Sequence, residues 1–221
     1  MTSNKFVNGI YSLGSFMIEM IKLQFWGIVY SFKGFIVLGI FPSISAIFGL
    51  IMYNLRREDE SLTHIYNADR FKKYYAENFK QSNILGYLSL AAIVFIYVDL
   101  RVSQYFIGNR YLHFFLILIM VFVLSIVCYI FPSIVSFDLS VKDHIKQAFF
   151  LALCSIKETI AALLGIGVAI FIMTIFPIMY LLLFVPMYIF PIAWFGDIAI
   201  KNLMKRNEEG ISNKKGSVSR S

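Results

Sequence analysis

Glu19 and Lys22 are the ionisable residues of this chain whose spacing gives them a chemical prospect. They stand three positions apart within residues 6–32, a stretch with no other charge. On a helix that spacing sets them one turn apart on one face, close enough to pair. At membrane depth an ionisable pair is a candidate for handling a proton or a substrate, because an unpaired charge there is costly. The same spacing also suits a pair that neutralises itself or sits among headgroups. Asp99, Lys157, Glu158 and Asp197 lie at the edges of apolar runs, where headgroup placement accounts for them.

Little else carries recognisable chemistry. His64, His113 and His144 have no metal-ligand spacing, and Cys128 and Cys154 each sit inside an apolar run, as small buried hydrophobes do. The chain has no His-Glu-x-x-His, no Gly-x-Ser-x-Gly and no Gly-x-x-x-x-Gly-Lys. The expectation is a protein without enzymatic activity or cofactor.

The most patterned polar region runs over residues 67–82. Phe71, Tyr74, Tyr75, Asn78, Phe79 and Ser82 fall on one helical face, with Arg70, Lys72, Lys73 and Lys80 around it. A basic helix with an aromatic face can lie on an anionic lipid surface or seat that face in a partner's groove. It can equally pack beneath a helical bundle. Phe71, Tyr74, Tyr75, Asn78, Phe79 and Lys80 are therefore the candidate partner or lipid contacts. Residues 142–158 have a similar form, with Phe149, Phe150 and Leu153 on the apolar side.

These groups must be positioned by membrane helices. Residues 159–196 contain no Asp, Glu, Lys or Arg, and about 20 apolar residues suffice to cross a hydrocarbon layer of about 30 Å. In lipid the backbone must satisfy its own hydrogen bonds, so the crossings are helices. Hydrophobic residues make up 59% of the chain and charged residues 15%, which leaves no room for a separate soluble catalytic domain. Residues 34–55, 81–98 and 111–137 are further charge-free runs, and the long run divides near Pro177. With residues 6–32 these make six spans, or five if that first stretch and its neighbour do not both cross. The fold expected is an all-α polytopic membrane bundle with cytoplasmic amphipathic helices. It forms one domain over residues 1–207, followed by a disordered tail over 208–221 rich in Gly, Ser, Asn and Lys.

Orientation follows from the basic residues. With six spans one side holds Lys5; Arg56, Arg57, Arg70, Lys72, Lys73 and Lys80; Lys142, Lys146 and Lys157; and Lys201, Lys205, Arg206, Lys214, Lys215 and Arg220. The other side holds Lys33, Arg101 and Arg110. The crowded side is expected to be cytoplasmic and to include the carboxyl terminus. This asymmetry accounts for the basic charge without nucleic acid as a partner.

The pentapeptide Ile-Phe-Pro-Ser-Ile occurs at residues 40–44 and again at 130–134, and Ile-Phe-Pro twice more, at 175–177 and 189–191. Broken helices in an internal duplication can line a transport path. Apolar chains also repeat short words by chance, and the two copies stand in different registers to the charged linkers that follow. Gly39, Pro42 and Pro132 are the candidate helix breaks. Gly39 and Pro42 could make the first hairpin re-entrant instead of two full crossings.

The apolar entry ending in Phe25-Trp26, the Gly39-x-x-Pro42-Ser43 break, and Phe71 with Asn78-Phe79-Lys80-Gln81 followed by Gly86 resemble the YesL family. This is a group of small bacterial membrane proteins carrying a domain of unknown function. The resemblance covers roughly residues 6–205 and departs from the family pattern at Ser43, where Ala is expected. It implies a multi-pass protein of the bacterial plasma membrane, often encoded near carbohydrate-uptake ABC transporters and polysaccharide-degrading enzymes, and it supplies no catalytic residues. The function expected is that of a non-enzymatic accessory to a carbohydrate-uptake ABC transporter, with ABC subunits and the lipid bilayer as partners. The alternative is an autonomous small-solute transporter that uses the breaks near Pro42 and Pro132, with Glu19 contributing.

Overall fold

A computed structural model describes residues 2–57 and 66–218, with side chains described for residues 11–57 and 66–206. Of the tail expected over 208–221, residues 208–218 continue the last helix and 219–221 lie outside the described residues. Among the described residues eight α-helices follow one another and there is no strand. They are α1 (Thr2–Lys33), α2 (Ile40–Leu55), α3 (Ala68–Glu77), α4 (Phe79–Val102), α5 (Arg110–Ser136), α6 (Val141–Cys154), α7 (Ile156–Ile175) and α8 (Ile178–Val218). A π-helical turn, Ser103–Ile107, extends α4.

Local chemistry sets most of the boundaries. Asn67 caps α3 by accepting from the Arg70 N–H. Asn109 caps α5 by accepting from Tyr111 and Leu112, directly after Gly108 has turned the chain at φ 66°. Ser140 caps α6 through the Asp143 N–H. The long apolar run breaks at Phe176-Pro177, where proline cannot continue α7.

Among the described residues four stretches have the length and apolarity to cross a membrane: Phe79–Ile107, Arg110–Ser136, Ile156–Ile175 and Ile178–Arg206. Their outward side chains are large and apolar, among them Phe95, Phe114, Leu118, Leu164 and Phe171. Such a surface is stable only against lipid. The chain is thus a polytopic helical membrane protein. Six apolar segments were expected, and each has its helix, but the first two differ from the other four. With 16 residues α2 is about 24 Å long, short of a hydrocarbon layer of about 30 Å. The preceding α1 carries Glu19, Lys22 and Lys33.

The break between α1 and α2 precedes Pro42. Phe35 and Ile36 take the left-handed conformation at φ 57° and 62°, and the chain reverses between Gly34 and Gly39. These two glycines nearly touch: a Cβ on Gly34 would stand 2.3 Å from the Gly39 Cα. Pro42 lies in the first turn of α2, where a missing N–H costs nothing, so it does not break a helix. Nor does Pro132, which sits inside α5 four residues before its end.

The core lies where α1 and α2 meet α5 and α8. Met20, Leu23, Ile47, Leu50, Met52, Ile130, Ala193 and Ile200 are buried there. The Phe41 and Phe48 rings both stack with that of Phe131, with centroids 6.5 and 5.6 Å away.

Candidate functional site

The aromatic face of α3 is turned inward. Phe71 is fully buried, its ring 4.9 Å from Tyr30 of α1. Tyr75 donates its hydroxyl to the Tyr30 carbonyl at 3.1 Å, and its ring meets that of Phe79. Tyr74 lies over Gly49 of α2, so closely that a Cβ there would stand 2.6 Å from the ring. Burial pushes the Tyr74 and Tyr75 phenols above their ordinary value. Of the face expected to offer a docking surface, the rings therefore hold α3 under the first hairpin. Lys72, Lys73, Glu77 and Lys80 remain exposed.

Glu19 and Lys22 do pair, at 2.6 Å. The second Glu19 oxygen accepts the backbone N–H of Tyr66, whose ring stacks on Trp26 at 5.7 Å. This pair anchors the chain that leads into α3.

Exposed polar groups converge at the elbow between α3 and α4. Asn78 ends the first helix and begins the second, so Glu77, Asn78, Lys80 and Gln81 cluster on its outer side. Opposite them α5 ends, and Phe137 leaves it in extended conformation. Between the two lies a cleft of about 670 Å³, lined by Tyr74, Glu77, Asn78, Lys80, Gln81, Ser136, Phe137 and Asp138, with Ile134 and Val135 behind. Lys80 and Gln81 can donate there, while Glu77, Asp138 and the last carbonyls of α5 accept. This suits recognition of a polar group. Among the described residues no three His, Cys, Asp or Glu side chains could hold a metal ion.

Two buried polar clusters fix the walls of the cleft, and sequence reading alone pointed to neither. In the first, Gln81 Nε2 donates to the Leu139 carbonyl at 2.8 Å, leaving its oxygen to face His144 Nε2 at 3.2 Å. That oxygen can only accept, so Nε2 carries the proton and Nδ1 accepts from the Ser133 hydroxyl at 2.9 Å. Burial lowers the pKa of His144, although Asp138 and Asp143 oppose the shift, and the ring is held neutral. In the second, the buried Asp197 of α8 accepts from Arg56 Nε at 2.6 Å and from Lys201 at 2.7 Å. Arg56 Nη2 also donates to Ser136 at 2.8 Å, which ties the end of α2 to the rim of the cleft. The only sequence signal for this cluster was Asp197 closing an apolar run four residues before Lys201.

Comparison with known proteins bears on this architecture. Residues 20–100 match a family model described as "Protein of unknown function, DUF624". That match spans the second part of α1 through most of α4, and so the hairpin, α3 and one wall of the cleft. Uncharacterized protein YesL of Bacillus subtilis is 23% identical over 177 residues, covering 80% of this chain and 82% of its own. Uncharacterized protein YteU of the same organism is 27% identical over 145 residues, covering 64% and 62%. The chain is YesL-like. No solved structure matches it. The resemblance first read from Trp26, Gly39, Pro42, Phe71 and the residues around Lys80 falls inside the matched region. In the structure most of these residues are architectural. Gly86 is one example, since a Cβ there would lie 2.3 Å from the Phe41 ring. Lys80 is the exception, exposed on the rim of the cleft.

Proposed function

We propose that this protein is a non-enzymatic accessory subunit in the bacterial plasma membrane, with a carbohydrate-uptake ABC transporter as its partner. The observation that carries the reading is the polar cleft at the α3–α4 elbow. It is the site where exposed charges of both signs, Lys80 with Glu77 and Asp138, surround a volume large enough for side chains of a second protein. The buried His144 and Asp197 brace its walls, the first through Gln81 and the second through Arg56 and Ser136. The partner class follows from what the YesL resemblance implies, and the positive-inside rule puts the cleft on the cytoplasmic side.

The test is purification of the tagged protein from its native membrane in mild detergent, followed by mass spectrometry. Permease or ATPase subunits of an ABC transporter should co-purify, and Lys80→Glu combined with Asp138→Lys should abolish that recovery while leaving the protein's own yield unchanged. Recovery of the protein alone, with sugar flux through liposomes containing nothing else, would replace this reading with an autonomous transporter.

A further inference from the structure

The turn between α1 and α2 is built for lipid, and it stops short of the far side. Phe35 is 89% exposed, and Ile36, Val37 and Leu38 are exposed beside it. Four consecutive apolar side chains at the apex of a hairpin are poorly suited to water. The backbone there is non-helical, and such backbone survives at membrane depth only where its polar groups are satisfied by protein. Most are satisfied here: the N–H groups of Phe35 and Ile36 donate to the Phe32 and Ser31 carbonyls at the end of α1, and those of Val37 and Gly39 donate within the turn. From α4, Asn83 Nδ2 donates to the Leu38 carbonyl at 3.0 Å and Tyr87 donates its hydroxyl to that of Val37.

Those two donors fix the depth of the apex. Tyr87 lies eight residues into α4, about 12 Å at about 1.5 Å per residue, and the helix continues about 22 Å further to Val102. Ile84 and Leu88, the neighbours of those two donors along α4, are exposed and apolar. Charge agrees with this placement. Lys33 sits over the Tyr30 ring at 4.3 Å, and the Tyr30 carbonyl is held by Tyr75 of the basic helix α3. Assigning Lys33 to the crowded side leaves only Arg101 and Arg110 on the other, a cleaner asymmetry than six crossings give.

We infer that the α1–α2 hairpin is re-entrant: residues 35–38 insert among the acyl chains of the leaflet on the basic side and turn back, so that the chain crosses the membrane four times. Ile36→Cys and Gln104→Cys, each made in a Cys128→Ser, Cys154→Ser background, separate the possibilities. In intact cells a membrane-impermeant maleimide should label Gln104→Cys and leave Ile36→Cys unlabelled. A bimane probe at position 36 should be quenched when the protein is placed in brominated phosphatidylcholine vesicles. Labelling of Ile36→Cys from outside at the rate of Gln104→Cys would restore six crossings and overturn the inference. Rapid labelling of position 36 in inside-out vesicles, without bromine quenching, would place the apex in water and overturn it equally. Leu38→Cys serves if the left-handed conformation of Ile36 does not tolerate the exchange.

Discussion

The same five residues, Ile-Phe-Pro-Ser-Ile, stand at 40–44 in α2 and at 130–134 in α5, and the structure uses them differently. In α2 the word opens the helix, so Pro42 occupies the first turn, and the hydroxyl of Ser43 is buried without a partner. In α5 the word lies near the end of a 27-residue helix, and Ser133 donates to His144. Phe41 is half-buried against Gly86, whereas Phe131 is the ring on which both Phe41 and Phe48 lie. The amphipathic helix after each word also packs by different means. Rings hold α3, and α6 uses His144, Ala148, Leu151 and Ala152. A short word carries no role of its own; its position along the helix and the neighbour it meets decide what each atom does.

The largest break in this comparison should come from Phe131→Ala. It removes a buried ring from two stacked contacts and should cost about 3–5 kcal/mol, with Phe41→Ala costing about half as much. Thermal unfolding in detergent would measure both, and equal losses would mean the two words are energetically equivalent. Next is the serine pair. Ser133→Ala leaves His144 Nδ1 buried without its donor and should cost about 1–3 kcal/mol. Ser43→Ala removes an unpartnered hydroxyl and should stay within about 0.5 kcal/mol.

The smallest effect sharpens the same contrast through pH. His144 has a folded pKa below its unfolded value of 6.5. As the pH falls through 6.5 the unfolded chain takes up a proton that the folded one resists, so stability is full above that value and declines below it. His144→Gln should flatten this part of the unfolding temperature profile. The first word has no titratable partner, so Ser43→Ala should leave the profile unchanged.

Much of the architecture was legible along the chain because lipid imposes a one-dimensional rule: a long charge-free run must be a helix. The apolar helices, the break at Pro177 and the charge asymmetry followed from it, whereas the breaks expected at Pro42 and Pro132 did not form. The Glu19–Lys22 pair was legible for the same local reason, a separation of one helical turn. The direction of the α3 face was not, because an amphipathic pattern marks one apolar side without naming what covers it. Water-facing basic residues fit a helix on lipid, on a partner or under a bundle equally well. Only the packing of Phe71 on Tyr30 decided this.

Composition, charge and helix lengths were therefore set by the sequence itself, through the cost of bringing charge or bare backbone into lipid. Tertiary structure alone decided the contacts between residues far apart in the chain: Arg56 with Asp197, Gln24 with the Val185 N–H, and Tyr87 with the apex at Val37. Each joins a polar atom to a partner on a different element of the chain. No local spacing encodes such a meeting, because it exists only once the helices have packed.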